Sequence, residues 1–310
     1  MRPVFLAIGI LGCGGASLHR EAIRHNAAGV EHLARGRLDE AEARFRLASE
    51  YNDTFSEPWN NLGLVAMRRG RLAMAERFFV RAIDVREDFA EAWNNLGVLR
   101  LRHGDPAGAE KAFRRAVRVN PGFANGRANL ARVQVGRGGA AEAREQYELL
   151  AELQPRSAQA HEGLAWASYL CGRDDEAMDA ANRALEIDPA AATALRVRGQ
   201  VRLRRGDAEG ALLELEEAKR RAPADPEISV QLAVARALVG DRVGAEVEIE
   251  ALLARAPGSA RALFVLATLR EAEGRFEEAA RLAQRALALS PSHAEARALL
   301  ARVTREGQRD

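Results

Sequence analysis

The chain has 310 residues, 29% of them charged and 47% apolar, with a formal net charge of +2. That balance excludes the strongly basic surface of a nucleic-acid-binding protein. Aromatic residues make up only 5% of the chain, and the abundance of Ala and Leu favours helix over strand.

The N-terminus stands apart from the rest. Arg2 precedes an apolar run from Pro3 to Leu11, followed by small residues. A charged start, a short apolar stretch and a small-residue cleavage point describe a secretory signal. The run is too short to span a bilayer, which needs about 20 apolar residues. Ile10-Leu11-Gly12-Cys13 resembles a bacterial lipobox. The resemblance implies a lipoprotein signal peptide over 1–12, lipidation at Cys13 and a lipidated tether over 13–21. Two or more acyl chains would hold the protein stably at a membrane. Gly14 in place of an acidic residue favours the outer membrane facing the periplasm, by resemblance to enteric lipoproteins. If the lipobox is not used, the expected location is the cytoplasm. The other cysteine, Cys171, reads as a free, partly buried thiol, and the pair forms no disulfide framework.

From residue 22 onward the chain repeats every 34 residues without slippage. Gly stands at 36, 70, 104, 138, 172, 206, 240 and 274, and Ala follows each five residues later. The units are 22–55, 56–89, 90–123, 124–157, 158–191, 192–225, 226–259 and 260–293. In each, apolar residues at positions 4, 7 and 11 and a small residue at 8 make one stripe on a first helix, as in Trp59, Leu62, Gly63 and Ala66. Gly at position 15 ends that helix, because only Gly adopts the left-handed cap without steric cost. The second helix carries Ala at position 20 and a bulky residue at 24, namely Phe45, Phe79, Phe113 and Tyr147 in the first four units. Pro at position 32, from Pro121 to Pro291, closes it. Residues 294–310 read as a capping helix and tail, with Leu299 and Leu300 facing back.

The pattern W-x2-L-G, then A-x3-F, then Pro resembles the tetratricopeptide repeat family over residues 22–293. The resemblance implies an all-α fold, an α-solenoid of eight helix-turn-helix repeats in a right-handed superhelix. Local departures are Arg198 at position 7, Ala181 and Ala283 at position 24, and the absence of Trp from position 4 outside the second and third units.

In the resembling family, positions 2, 6, 9 and 13 of successive first helices form the concave face. Here position 6 holds Asn61, Asn95 and Asn129, and position 13 holds Arg68, Arg102 and Arg204. Evenly spaced amides offer donor and acceptor to the backbone of an extended peptide. The arginines would pair with carboxylates. Trp166 at position 9 and Tyr169 at position 12 are candidate aromatic anchors. Alternatively, Trp166 covers the neighbouring helix and replaces the bulk missing at Ala181. Val234 and Leu238 turn the same face apolar in the seventh unit, with Phe264 nearby at position 5 of the eighth, so that either a hydrophobic segment binds there or the superhelix buries these residues itself.

No catalytic constellation, metal set or phosphate loop emerges. His25 and His32 lack a third ligand, and Gly136, Gly138 and Gly139 sit between helices without a following Lys. The expectation is a non-enzymatic, membrane-anchored scaffold without cofactor or small-molecule substrate. It would bind an extended peptide segment or helix of another protein and assist a cell-envelope complex. The lipobox-plus-repeats arrangement is loosely similar to the pilotins of type IV pilus secretins. The competing expectations are an adaptor that recruits substrates to an enzyme, such as a cell-wall hydrolase, synthase or glycosyltransferase, and a soluble cytoplasmic chaperone adaptor.

Overall fold

A computed structural model describes residues 20–306 of the chain. The lipobox segment and Cys13 lie outside the described residues. All regular elements there are helices, in two compact units divided after Gly138. The first unit holds α1 (Arg20–Ala34), α2 (Leu38–Tyr51), α3 (Ser56–Arg68), α4 (Leu72–Val85), α5 (Ala90–Arg102), α6 (Pro106–Val119) and α7 (Ala124–Gly136). The second holds α8 (Ala140–Leu153), α9 (Ala158–Leu170), α10 (Asp174–Ile187), α11 (Ala192–Arg204) and α12 (Ala208–Arg221). It continues with α13 (Pro226–Leu238), α14 (Arg242–Arg255), α15 (Ala260–Ala272), α16 (Phe276–Leu289) and α17 (Ala294–Glu306). Within each unit, helix hairpins stack each on the next, the packing of an α-solenoid.

The turn glycines at position 15 all have positive φ, from 72° at Gly70 to 92° at Gly240. The second helices then start from varied caps. Asp105, Asp207 and Asp241 each accept from a backbone N–H three residues on.

Close approach inside a hairpin is set by position 8 against position 24. Phe45, Phe79 and Phe113 are fully buried, each ring lying against the glycine of its own hairpin. Leu215 lies on Gly199 in the same way. Where position 24 is Ala181 or Ala283, position 8 is Ala165 or Ala267, and all four are fully buried. Trp166, Leu164 and Met178 pack on the cluster that contains Ala181. Arg198 at position 7 pairs with Glu214. On α17, Leu299 and Val303 are buried against Ala267, Ala279 and Ala283.

At position 4, several chemically different side chains share one role, while Leu195 and Leu263 are simply buried there. Trp59 Nε1 donates to Asp53 O at 3.1 Å, and Trp93 Nε1 to Glu87 O at 2.8 Å. Arg127 donates to Pro121 O at 2.7 Å, His161 Nε2 meets Pro155 O at 3.1 Å, and Arg297 donates to Pro291 O. Each ties a first helix to the position-32 carbonyl of the loop before it.

Ion pairs join successive hairpins. Arg69 reaches Asp39 and Glu42, Arg137 reaches Glu110 at 3.0 Å, and Arg205 reaches Asp175 at 2.7 Å. Hydrogen bonding from Arg46, helped by the charge of Arg69, holds Glu42 below its ordinary value of 4.5. Arg270 does the same for Glu246. Burial pushes Glu248 upward, but hydrogen bonds from Lys219 and Ser229 outweigh it and the net direction is down. A carboxylate whose folded pKa is lowered binds protons less readily than it does unfolded. Its contribution is therefore fully present above the unfolded value and is lost as pH falls through the folded one. The melting temperature is expected to be flat from about pH 8 to about pH 6 and to drop below about pH 4.5. Thermal scans by circular dichroism across that range measure it. A melting temperature unchanged at pH 3.5 would refute a stabilising role for these pairs.

Candidate functional site

In the first unit, the face expected to bind peptide is laced together by amides. Asn61 Nδ2 donates to Asn26 Oδ1 at 3.0 Å, Asn95 to Asn60 at 2.9 Å and Asn129 to Asn94 at 2.8 Å. Each position-6 amide thus bonds the position-5 amide of the preceding hairpin. Asn60 and Asn94 are buried. Asn61, Asn95 and Asn129 are half-buried, with their carbonyl oxygens outside these bonds. The sequence reading missed the acceptor partners, although the doubled Asn at 60–61 and 94–95 carried the signal.

The arginines divide by role. Arg68 Nη1 donates to Leu33 O at 2.8 Å, capping the end of α1. Arg204 does the equivalent with Tyr169 O at 3.3 Å and pairs with Asp174. Arg102 is exposed and makes no ion pair among the described residues. Arg132 at position 9 shares this condition and was not singled out from sequence.

In the second unit the structure brings the aromatic candidates together. Trp166 and Tyr169 stack with ring centres 5.6 Å apart and planes at 18°. The Arg204 guanidinium lies 4.0 Å from the centre of the Tyr169 ring. Arg196, from α11, lies 4.3 Å over Trp166 and donates to Gln200 Oε1 at 3.1 Å. The contacts therefore run in the order guanidinium, indole, phenol, guanidinium. Such cation–π contacts strengthen as they are desolvated, and Arg196 is buried. That burial lowers its pKa, opposed by the charges of Asp225 and Glu227. Trp166 and Tyr169 remain half-exposed. Arg196 was also missed from sequence, because position 5 gives no sign of a partner ring one hairpin away.

The apolar positions farther along differ among themselves. Leu238 is 62% exposed, whereas Val234 and Phe264 pack into the local core, and Phe264 sits 5.0 Å from the His293 ring. Among the described residues, no group of three or more His, Cys, Asp or Glu is placed to hold a metal ion. His25 stacks on Tyr51 at 5.4 Å. No described helix is long and apolar enough to cross a membrane.

Stacked hairpins presenting matched positions on their first helices define a helical repeat scaffold, a fold that points to protein partners. Tetratricopeptide repeat models match residues 26–84, 60–123, 128–192, 183–226 and 260–303, and the chain belongs to that family. Among solved structures, the APC/C hetero-tetramer Cut9-Hcn1 gives a TM-score of 0.67 at 16% identity, covering 89% of this chain and 54% of that one. The chain thus spans about half the length of that relative. YrrB, described as a TPR protein with an unusual peptide-binding site, gives 0.53 at 22% identity over 59% of this chain and 95% of that one. PilF of Pseudomonas aeruginosa gives 0.58 at 18% identity over 67% and 95%. At these identities the likeness is one of fold. No curated protein matches the chain.

Proposed function

We propose that the protein is a non-enzymatic scaffold that holds an extended segment of a partner protein against its first-helix faces. The observation that carries this reading is the Arg196–Trp166–Tyr169–Arg204 stack. It is half-exposed and flat, which suits an apolar or aromatic partner side chain flanked by a carboxylate. In the first unit, Arg102 and Arg132 offer unpaired guanidiniums to carboxylates, and the position-6 carbonyls offer acceptors to backbone N–H groups. YrrB, a fold neighbour, is described as having a peptide-binding site, which is in keeping with a peptide partner here.

The scaffold acts at the cell envelope in this proposal, tethered through Cys13 to a membrane, and assists assembly or localisation of a complex there. Pilus or secretin assembly is the form of that role suggested by the lipobox followed by repeats, and PilF shares the fold.

Two measurements test the proposal. Binding of extended acidic–aromatic peptides from a tiled library, read by fluorescence anisotropy, should weaken at least about tenfold in Trp166→Ala, as for an interface anchor. Unchanged affinity with an unchanged melting curve would remove the stack as the binding site. Fatty-acid labelling should mark the chain and vanish in Cys13→Ala. Absence of label would remove the membrane tether and leave the scaffold reading standing.

A further inference from the structure

Positions 2, 6, 9 and 13 of the later first helices carry side chains that reach back to the hairpin before. Arg261 at position 2 meets Glu227 at 2.6 Å, and Asn61 at position 6 donates to Asn26 at 3.0 Å. Arg302 at position 9 of α17 donates to Glu271 at 2.8 Å, and Arg68 at position 13 donates to Leu33 O at 2.8 Å. On α1 the same four positions hold Ile23, Ala27, Val30 and Ala34. None of them carries a side-chain donor. All four are exposed, Ile23 at 48% and Val30 at 46%.

Their spacing of four, three and four residues draws one apolar stripe along a helix about 22 Å long. In heptad terms the stripe alternates d and a positions, and Arg24 and Glu31 both fall at e beside it. An apolar stripe left open on a helix is a packing surface without its partner.

The charges beside the stripe complement themselves. Let two copies of α1 pack antiparallel across a two-fold axis, with Ile23 on Ala34 of the second copy and Ala27 on its Val30. That register brings Arg24 to Glu31 of the second copy, and by symmetry Glu31 to its Arg24. Each layer joins one branched side chain to one Ala, so the helices can approach closely. In a parallel pair Arg24 and Glu31 would stand about 10 Å apart along the axis, too far to meet. Within the chain these charges are loosely held. Arg24 lies 3.5 Å from Glu21 and Glu31 lies 3.6 Å from Arg35, with all four side chains at least 44% exposed. Such pairs contribute little and are readily exchanged.

We propose that the open face of α1 is a self-association surface, through which two copies of the chain pair antiparallel. The surface does not involve the Trp166 stack or Cys13, so it goes beyond the peptide-binding and tethering roles above. A single pair of helices this short falls below the about 1,200 Å² that stable complexes bury, so a dissociation constant on the order of 10 µM is expected.

Sedimentation velocity of the full chain from about 1 to about 200 µM tests this, with a monomer passing to a dimer as the expected result. Ile23→Glu combined with Val30→Gln should leave a folded monomer. The fold admits both residues, since Glu57 and Gln200 occupy those positions in other hairpins. Arg24→Glu alone should weaken the dimer about tenfold, and adding Glu31→Arg should restore it to within about threefold of the parent. Trp166→Ala should leave the dimer unchanged. A monomer at every concentration would overturn the proposal and leave the stripe to another occupant, such as the apolar run Pro3–Leu11. A dimer undiminished by Ile23→Glu with Val30→Gln would overturn it by placing the contact elsewhere. Failure of Glu31→Arg to rescue Arg24→Glu would overturn it too, because the antiparallel register requires that pair.

Discussion

Phe113→Ala is expected to lower the stability of its region by about 3–5 kcal/mol, the range for emptying a large aromatic from a closed core. Phe113 is fully buried among Ala109, Leu130 and Val133, and its ring lies directly on Gly97. A Cβ placed at Gly97 would come within 2.5 Å of that ring. Gly97→Ala alone should therefore cost about 1–3 kcal/mol through overpacking, despite the roughly 1 kcal/mol gain in helix propensity. In the Phe113→Ala background the sign reverses. The added methyl enters the space the ring has left, and the propensity gain remains. The double variant should be more stable than Phe113→Ala by itself. The chain already contains this combination at Ala165 with Ala181 and at Ala267 with Ala283, all fully buried. Urea unfolding followed by fluorescence with Trp93 as the sole tryptophan (Trp59→Phe and Trp166→Phe background) reports on the right hairpin, which matters because stacked repeats need not unfold as one cooperative block. Strictly additive losses would show that the two positions do not sense one another.

That complementarity marks the division between what sequence reveals and what it hides. Gly at position 15, Ala at 20 and Pro at 32 act through backbone conformation and local contact, so their meaning is readable from spacing. The helix pairs and the family follow from them. Position 4 is different. Trp93, Arg127 and His161 share neither size nor hydropathy, and by pattern two of them look like departures. Their common property is an N–H at the right reach for a loop carbonyl, and that appears only when the preceding loop is in place.

The candidate site was legible to a similar depth. Trp166 and Tyr169 stood out as aromatics on an otherwise plain face, and the structure stacks them. Arg196 sits 30 residues from Trp166, and nothing local to it signals a ring above it. Asn61, Asn95 and Asn129 were visible as a ladder. Their ties to Asn26, Asn60 and Asn94 depend on the register between hairpins, which a single unit does not encode.

Arg270→Met should destabilise the second unit by about 1–3 kcal/mol at neutral pH, with the loss shrinking in acid. The Arg270 side chain is 7% exposed and touches four carboxylates, those of Glu246, Glu250, Glu273 and Glu278. Hydrogen bonding to Glu246 is the main reason its own pKa is raised. Removing one member of a fully buried ion pair costs about 3–5 kcal/mol, because the other charge is stranded. Here the carboxylates are between 28% and 56% exposed, so water screens what is left and the smaller figure applies. Met keeps the apolar stem, so most of the change is electrostatic. Glu246 then loses the partner that held it below 4.5, and repulsion among the four carboxylates pushes it the other way. In the variant this cluster no longer resists protonation as it does in the parent. Acid therefore costs the variant less than it costs the parent, with Glu42 and Glu248 held low in both. The difference in unfolding free energy between the two should be largest near pH 7 and should close as pH falls toward about 4. Urea titrations at both pH values measure that difference. A gap that stays constant with pH would assign the loss to packing around the side chain, and the four carboxylates would then be solvated neighbours with no energetic claim on Arg270.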